Sequence, residues 1–523
     1  MAELTLVRWR RSLVLGLCCL LLFVGCGLNK SASVAGKTLT FATEPAFPPF
    51  EFQAQGGGLQ GFDIDLTNAI ATAAGFKVKF QSLPFDGIIP GLRAKTVDAA
   101  ISAITITSER AKTISFSQPY FKAGLAIAVR TDNPSITGFD SLKNKTIAVQ
   151  IGTTGAAKAK NILGAKIRTF DSAPISLQAL ANGNVDAVIN DAPVTLYAIK
   201  SGNLQGLKVV GQLLTEEFYG IATAKGSPNL QAINQGLATI LKNGTYAQIY
   251  QKWFNTQPPQ LPDKSPVENQ EAGANSLSLL FASLSTALGV ILTSIPTLLG
   301  GALVTLELTA LSVLLGMIGG SLIGIVRLSS VPFLRWAARA YVDFFRGTPL
   351  LVQIFMIYFG IPAITQDFGV TFTLDRLVAA VLALSLNSAA YIAEIVRAGI
   401  QSIELGQTEA AESLGLGGVQ TMRYVVFPQA LRRMLPPLGN EFISLLKDTS
   451  LVAVIGFEEL FRRGQLIVAE NYRSFEIYAS VALIYLVLTL LSSQAFSLFE
   501  RALNPVNRAR KAQARRAKRK DGA

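Results

Sequence analysis

Hydrophobic and polar positions follow different rules on either side of a junction near Gln260. Before it, short β-rich runs alternate with amphipathic stretches. The pattern predicts strands over 38–42, 78–83 and 99–104, with helices over 65–74 and 87–94 between them. A second series opens with a strand at 146–149 and includes another at 185–190. Such alternation implies parallel strands joined by crossover helices. Runs at 123–129 and 218–223 read as strands passing between the two series. Two lobes result, about 37–123 with 220–255 and about 124–219, connected by a double hinge. Open α/β sheets take ligands beyond the carboxyl ends of their strands, so the lobes are expected to face one another across a cleft.

After Lys252-Trp253-Phe254 the chain carries proline, glutamine and glutamate, and 256–275 reads as a linker. Long apolar runs follow at 302–326, 349–366, 377–397, 436–457 and 477–498. Each is close to the roughly 20 residues that a bilayer core requires. Small residues such as Gly316, Gly319, Gly320 and Gly324 suit close helix packing. The apolar stretch 277–295 is ambiguous, and basic residues decide how it is read. Clusters at Arg327, Arg335, Arg339 and Arg346, at Arg397, Arg423, Arg432 and Arg433, and in the tail share one side if five runs span. A sixth span would move two of the three clusters outside, against the preference of basic loops for the cytoplasm. Pro296 also leaves little room for a turn. An interfacial or bundle-side helix at 277–295 is therefore expected, with a membrane domain at 298–500 and a basic cytoplasmic tail at 501–523.

Composition agrees with this division. Charged residues make up only 15% of the chain, where a soluble protein carries about a quarter. The net charge of +13 sits largely at membrane-flanking positions, which argues against nucleic acid as a partner. There is no histidine, and Cys18, Cys19 and Cys26 all precede the folded part, so neither a His/Cys metal site nor an internal disulfide is expected. Residues 1–36 have the basic-then-apolar layout of a signal peptide or N-terminal membrane anchor. Lipidation of Cys26, cleavage near Ala35 and retention as an anchor all remain open, and all three deliver 37–255 across the membrane. No Gly-x4-Gly-Lys-Ser/Thr phosphate loop occurs, and no cofactor is implied.

Ordered motifs in the first half carry a resemblance. Ala42-Thr43-Glu44-Pro45-Ala46-Phe47, Gly61-Phe62-Asp63, Phe85-Asp86-Gly87, Ile104-Thr105-Ile106-Thr107-Ser108-Glu109-Arg110, Phe116-Ser117-Gln118-Pro119-Tyr120 and Asn243-Gly244-Thr245-Tyr246 appear in sequence. Together they resemble the periplasmic binding proteins for polar amino acids, which have a two-lobed α/β fold of type II. The resemblance implies that Arg110 takes the ligand carboxylate, aided by Thr105 and the Gly152-Thr153-Thr154 turn. A guanidinium offers that group paired donors. Asp191 would accept from the ammonium, and Phe47 and Phe85 would sandwich the side chain. Glu44, Ala103, Gln150, Thr154 and Asn190 complete the candidate set. Read in isolation, Phe47 and Phe85 are ordinary core aromatics, Arg110 a helix-start residue and Asp191 an N-cap. Glu44, Gln150, Thr154 and Asn190 replace Asp, Lys, Gly and His of the glutamine binder. The lost lysine and the retained acid favour a basic amino acid, with glutamine also accepted.

In the second half, Glu409-Ala410-Ala411, Gly415 and Pro428 resemble the EAA loop of ABC importer permeases, spanning 406–428. Arg346-Gly347-Thr348-Pro349-Leu350 and Tyr391-Ile392-Ala393-Glu394-Ile395-Val396-Arg397 resemble the polar amino-acid subfamily. Val425-Val426-Phe427-Pro428 stands where many relatives carry Ile-x-Leu-Pro. The resemblance implies an all-α, five-helix transmembrane domain whose Glu409, Ala410, Ala411 and Gly415 contact a separate ABC ATPase homodimer. A second copy of the chain, or a related permease, would complete the pore. The expected whole is a transporter subunit, not an enzyme, in the bacterial inner membrane with its binding domain outside. The rival readings are an amino-acid-gated channel and a transmembrane sensor. Both lobes precede the membrane runs, no potassium-type filter occurs, and no signalling module follows Leu503, all of which disfavour them.

Overall fold

The computed structural model describes residues 36–503 except 55, 202, 203, 205, 268–275 and 369–372. The expectations for the leader, Cys26 and the tail beyond 503 fall outside these residues. The first sheet has the order Lys77–Ser82, Thr38–Thr43, Ala99–Ala100, Glu217–Ala224, Ile114–Ala123. Its first three strands are parallel and its last two antiparallel. The second sheet repeats the plan with Lys166–Phe170, Thr146–Gln150, Ala187–Asp191, Leu125–Arg130 and Leu207–Val210. Helices cover these parallel strands, so Phe41, Ala42, Val149 and Val188 are all fully buried. The expected strand at 99–104 is shorter than its apolar run, because the chain turns away into the cleft with Ala103 at φ 46.

Ile114–Ala123 ends in the first sheet and Leu125–Arg130 begins in the second, with Gly124 alone between them. The return strand Glu217–Ala224 runs alongside. A Cβ at Gly124 would lie 2.3 Å from the Thr215 carbonyl oxygen, so the two hinge segments touch backbone to backbone. Rings of Phe50, Phe62, Phe121, Tyr219, Tyr250 and Phe254 pack against one another in the first lobe. Trp253 Nε1 donates to Asp65 Oδ2 at 2.8 Å. These contacts fasten the closing helix Thr245–Phe254 and end the soluble module there.

The membrane half is entirely helical among the described residues. Three helices are long and apolar enough to cross a bilayer, with Ala287–Val326, Arg376–Gln401 and Ser474–Glu500 as their apolar stretches. The pair Pro332–Gly347 and Leu350–Thr365, bent by 105°, is together long and apolar enough for one broken span or a re-entrant loop. The expected run 436–457 is divided between the helix Phe427–Asp448 and the 3₁₀ segment Thr449–Ile455. The expected separate helix at 277–295 is absent, because Ser276–Val326 is one helix running through Pro296. Proline removes a single hydrogen bond, and an apolar helix packed in a bundle tolerates that loss. Gly320 and Gly324 lie so close to Arg376–Gln401 that a Cβ would stand 2.7 Å and 2.8 Å from the carbonyl oxygens of Ala389 and Ala393.

The two halves pack together. One buried cluster joins Phe170, Leu177 and Val188 of the second lobe to Ile354, Ala383 and Val452. Asn182 Nδ2 donates to the Phe359 carbonyl at 3.2 Å. Arg376, at the start of its 26-residue helix, reaches Gly456, whose Cβ would meet the second lobe's Thr169 carbonyl at 2.5 Å. The other end of that helix, at Gln401, is about 38 Å away. The loop carrying Glu409 follows there.

Candidate functional site

Between the lobes, Phe47, Phe85, Ala103, Thr105 and Arg110 of the first face Gln150, Thr154 and Asp191 of the second. With Ser102 and Thr153 they wall a narrow cavity of about 10 Å³. The short helix Ser108–Ala111 holds Arg110, and Thr107 Oγ1 caps it by accepting from Arg110 N at 3.2 Å. The guanidinium donates to the Thr105 carbonyl at 2.8 Å and to Gly152 of the opposite lobe at 2.9 Å. It also stands 5.4 Å from the Phe85 ring centroid. The cation is thereby held in the cleft by acceptors on both walls.

Asp191 ends its strand at N-cap position of the next helix, yet its side chain makes no capping bond. It accepts instead from the Tyr219 hydroxyl. Burial pushes its carboxyl up to about 7; the Tyr219 bond and the charge of Arg110 hold it down, while Glu217 raises it. A ligand ammonium beside it would favour the ionised form.

Glu44 and Asn190 are not among the residues walling the cavity. Glu44 lies behind Gln150 and accepts from Gln150 Nε2 at 2.7 Å. Burial pushes its carboxyl up to about 8. Gln150 Oε1 is buried without a partner. Asn190 turns away and donates to Thr195 Oγ1 at 3.3 Å.

Three groups of residues were not visible as site residues from the sequence. Glu217 accepts from Thr105 Oγ1 and Thr154 Oγ1, one on each lobe. Tyr219 holds Asp191. The Ser102–Ala103 turn is pinned from beneath by buried acids: Ser102 Oγ donates to Glu51 at 2.7 Å, and Ala103 N donates to Asp63 at 2.9 Å. Asp63 belongs to a quoted motif, but nothing in that motif points to a role under the turn.

The second candidate site lies at the far end of the bundle. The helix Leu405–Ser413 stops at Gly415, whose φ is 83. Glu409, Ala410 and Gly415 are exposed, whereas Ala411 is buried within the loop itself. Leu414 and Val419 are each 84% exposed. An apolar pair so open beside a short polar helix marks a contact surface.

The model of the bacterial extracellular solute-binding proteins, family 3, matches residues 39–256. That of the binding-protein-dependent transport system inner membrane component matches residues 312–505. The glutamine transport system permease protein GlnP of Escherichia coli is 43% identical over 210 residues, 40% of this chain and 94% of that protein. The probable amino-acid permease protein YxeN of Bacillus subtilis is 38% identical over 213 residues, 41% of this chain and 94% of that protein. The chain belongs to the amino-acid ABC importers. It joins their binding protein and their inner-membrane permease in one polypeptide and is a transport protein, not an enzyme. Among solved structures, an ancestral arginine-binding protein bound to glutamine is 45% identical, covering 42% of the importer and 98% of its own chain, with a TM-score of 0.41. By its own sheets and helices and by the two family matches, the importer pairs a two-lobed type II binding fold with a helical permease domain.

Proposed function

We propose that this importer captures basic amino acids, and glutamine second, between its lobes. Arg110 receives the carboxylate, Asp191 accepts from the ammonium, and Phe47 and Phe85 flank the side chain. The observation that carries the substrate class is the Gln150–Glu44 pair at the side-chain end of the cavity. Gln150 Oε1 is a buried acceptor without a donor, and the acid behind it makes the wall negative on ionisation. Guanidinium, ammonium and carboxamide ends all supply a donor; a carboxylate supplies none and meets repulsion. Relatives named for glutamine and for L-cystine transport make the head group the common element and the distal end the variable one.

Delivery into the cell is driven by a separate ABC ATPase pair that docks on the loop around Glu409, Ala410, Leu414 and Gly415. A second copy of this chain, or a related permease, completes the pore. The Arg397, Arg423, Arg432 and Arg433 cluster surrounds the end of the bundle remote from the lobes, which fits a cytoplasmic loop and an external binding domain. Two experiments test the reading. Calorimetric titration of the full chain in lipid nanodiscs should rank arginine and lysine first and glutamine next, and a preference for glutamate or aspartate overturns the substrate class. Uptake into proteoliposomes should require both the ATPase and ATP; ion current without them would favour an amino-acid-gated channel.

A further inference from the structure

The central strand of the first sheet stops at Ala100, and the chain leaves the sheet through Ser102 and Ala103 on its way to Thr105 and Arg110. Backbone bonds hold it on either side of that step. Ile101 N donates to the Ala42 carbonyl at 3.0 Å, and Gly220 N of the return strand donates to the Ile104 carbonyl at 3.0 Å. Between these anchors Ala103 adopts φ 46, in the left-handed region. Contact between Cβ and the carbonyl disfavours that region for an L-residue by roughly five- to thirtyfold. Such a conformation persists only where its surroundings over-determine it.

What holds Ala103 lies beneath it. Ala103 N donates to Asp63 Oδ2 at 2.9 Å, and the Tyr120 hydroxyl donates to the same oxygen at 2.8 Å. Ser102 Oγ donates to Glu51 Oε1 at 2.7 Å and accepts from Glu44 N at 3.0 Å. Asp63 sits in the first turn of the helix Phe62–Ala74, and Glu51 pairs with Phe47 across two short antiparallel strands. Both acids are fully buried, and none of those bonds comes from a cation. An acid so placed is costly, and an apolar side chain would fill the same space more favourably. Packing therefore does not account for the two acids, whereas the donors they satisfy do.

The turn in its place sets one end of the cavity. Ser102, Ala103 and Thr105 all wall it, and the Thr105 carbonyl, two residues beyond Ala103, accepts from Arg110 at 2.8 Å. Rotation of Ala103 out of the left-handed region would carry Thr105 away, and with it the acceptor that holds the guanidinium.

We propose that Asp63 is a positioning residue for amino-acid capture: by accepting the Ala103 N–H it holds that residue left-handed and so fixes Thr105 and Arg110 where the ligand carboxylate arrives. Asp63 itself touches no ligand. The inference rests on Arg110 as the partner of the carboxylate. A site whose competent form is populated only in part binds more weakly by that fraction. Loss of Asp63 should thus weaken every α-amino acid alike, whatever its side chain.

Calorimetric titration of the full chain in nanodiscs, with arginine and with glutamine, tests this as a four-variant cycle. In the chain with Ala103, Asp63→Ala is expected to raise both Kd values about five- to thirtyfold. In an Ala103→Gly background the same substitution should raise them less than about threefold, because glycine takes positive φ about as readily as negative and needs no hold. Unchanged Kd values in Asp63→Ala, or an equal rise in both backgrounds, overturns the proposal; the second result would mean that Asp63 only supports the lobe, through Tyr120 or by packing. If Asp63→Ala does not fold, Asp63→Asn keeps the volume and weakens the acceptor, and a rise of about threefold confined to the Ala103 background is then expected. Arg110→Ala reports on the carboxylate assignment separately. Capture retained there sinks that assignment, whereas capture lost there beside a flat cycle sinks the role of Asp63 alone.

Discussion

Thr105 and Thr154, on opposite lobes, both donate to Oε2 of Glu217, at 2.8 Å and 2.9 Å. Glu217 begins the return hinge strand and also accepts from Thr215 at 3.0 Å. One carboxylate thus ties the two walls of the cleft to the hinge on which they turn. Hydrogen bonds to a charged group contribute about 1.5–3 kcal/mol each. Glu217→Ala should therefore raise the dissociation constant for the amino acid by roughly tenfold or more, with Glu217→Gln intermediate. Titration of the full chain checks this, and equal affinity in Glu217→Ala would show that the threonines close the cleft unaided.

Arg110→Ala should abolish measurable capture of every amino acid, because no other cation lines the cavity among the described residues. Asp191→Asn should weaken capture by roughly ten- to a hundredfold, since the ammonium keeps a neutral acceptor in place of a charged one. Retained binding in Arg110→Ala would remove the basis for assigning the carboxylate to this side chain.

Glu44, pushed up to about 8 by burial, is mostly protonated at pH 7. A guanidinium or ammonium arriving at Gln150 favours the ionised form and expels the proton; a carboxamide does not. Both ligands carry the ammonium that ionises Asp191. Arginine binding at pH 7 should therefore release more protons than glutamine binding by a large fraction of one, the share that Glu44 gives up. Calorimetry in two buffers of different ionisation enthalpy measures this, and Glu44→Gln should erase the difference. Identical proton release for both ligands would separate Glu44 from selectivity.

Burial raises Glu44 to about 8, Asp191 to about 7 and Asp63 to about 6, all above their usual range. The folded, ligand-free module therefore holds more protons than the unfolded chain between about pH 4.5 and 8, and stability falls as pH rises through that window. The Tm of the soluble half should decline from pH 5 to 8, less steeply in Glu44→Gln. A Tm that rises across this range would contradict the protonated state of these acids.

Leu414→Asp, in the exposed loop, should stop ATP-driven uptake while leaving substrate titration unchanged, because the cleft lies at the opposite end of the bundle. Gly415→Ala should be milder, since an L-residue at φ 83 costs about 1–2 kcal/mol of local strain. Uptake at the normal rate in Leu414→Asp would place the ATPase contact elsewhere.

Much of this was legible in the chain. Alternating strands and helices gave the two sheets, and the ordered motifs led to Phe47, Phe85, Thr105, Arg110 and Asp191, all of which wall one cavity. Asn190 follows from the same motif logic but turns inward to Thr195, because neighbours on a strand point to opposite faces. Glu217 escaped notice because nothing local sets it apart; its importance arises from partners 112 and 63 positions away. Pro296 reads as a break, yet the helix runs through it, since packing outweighs one missing bond. The Arg462–Asp171 pair joins residues 291 positions apart in two domains, and no periodicity encodes such a meeting.

Gly320 and Gly324 leave no side-chain cushion between their helix and Arg376–Gln401. Backbones seated this tightly cannot slide past each other without steric overlap, so the pair turns as one rigid piece. The pliant joints are then the 105° elbow before Leu350 and the 3₁₀ segment after Asp448. A passage through this permease would open by swinging those two elements about an unyielding spine.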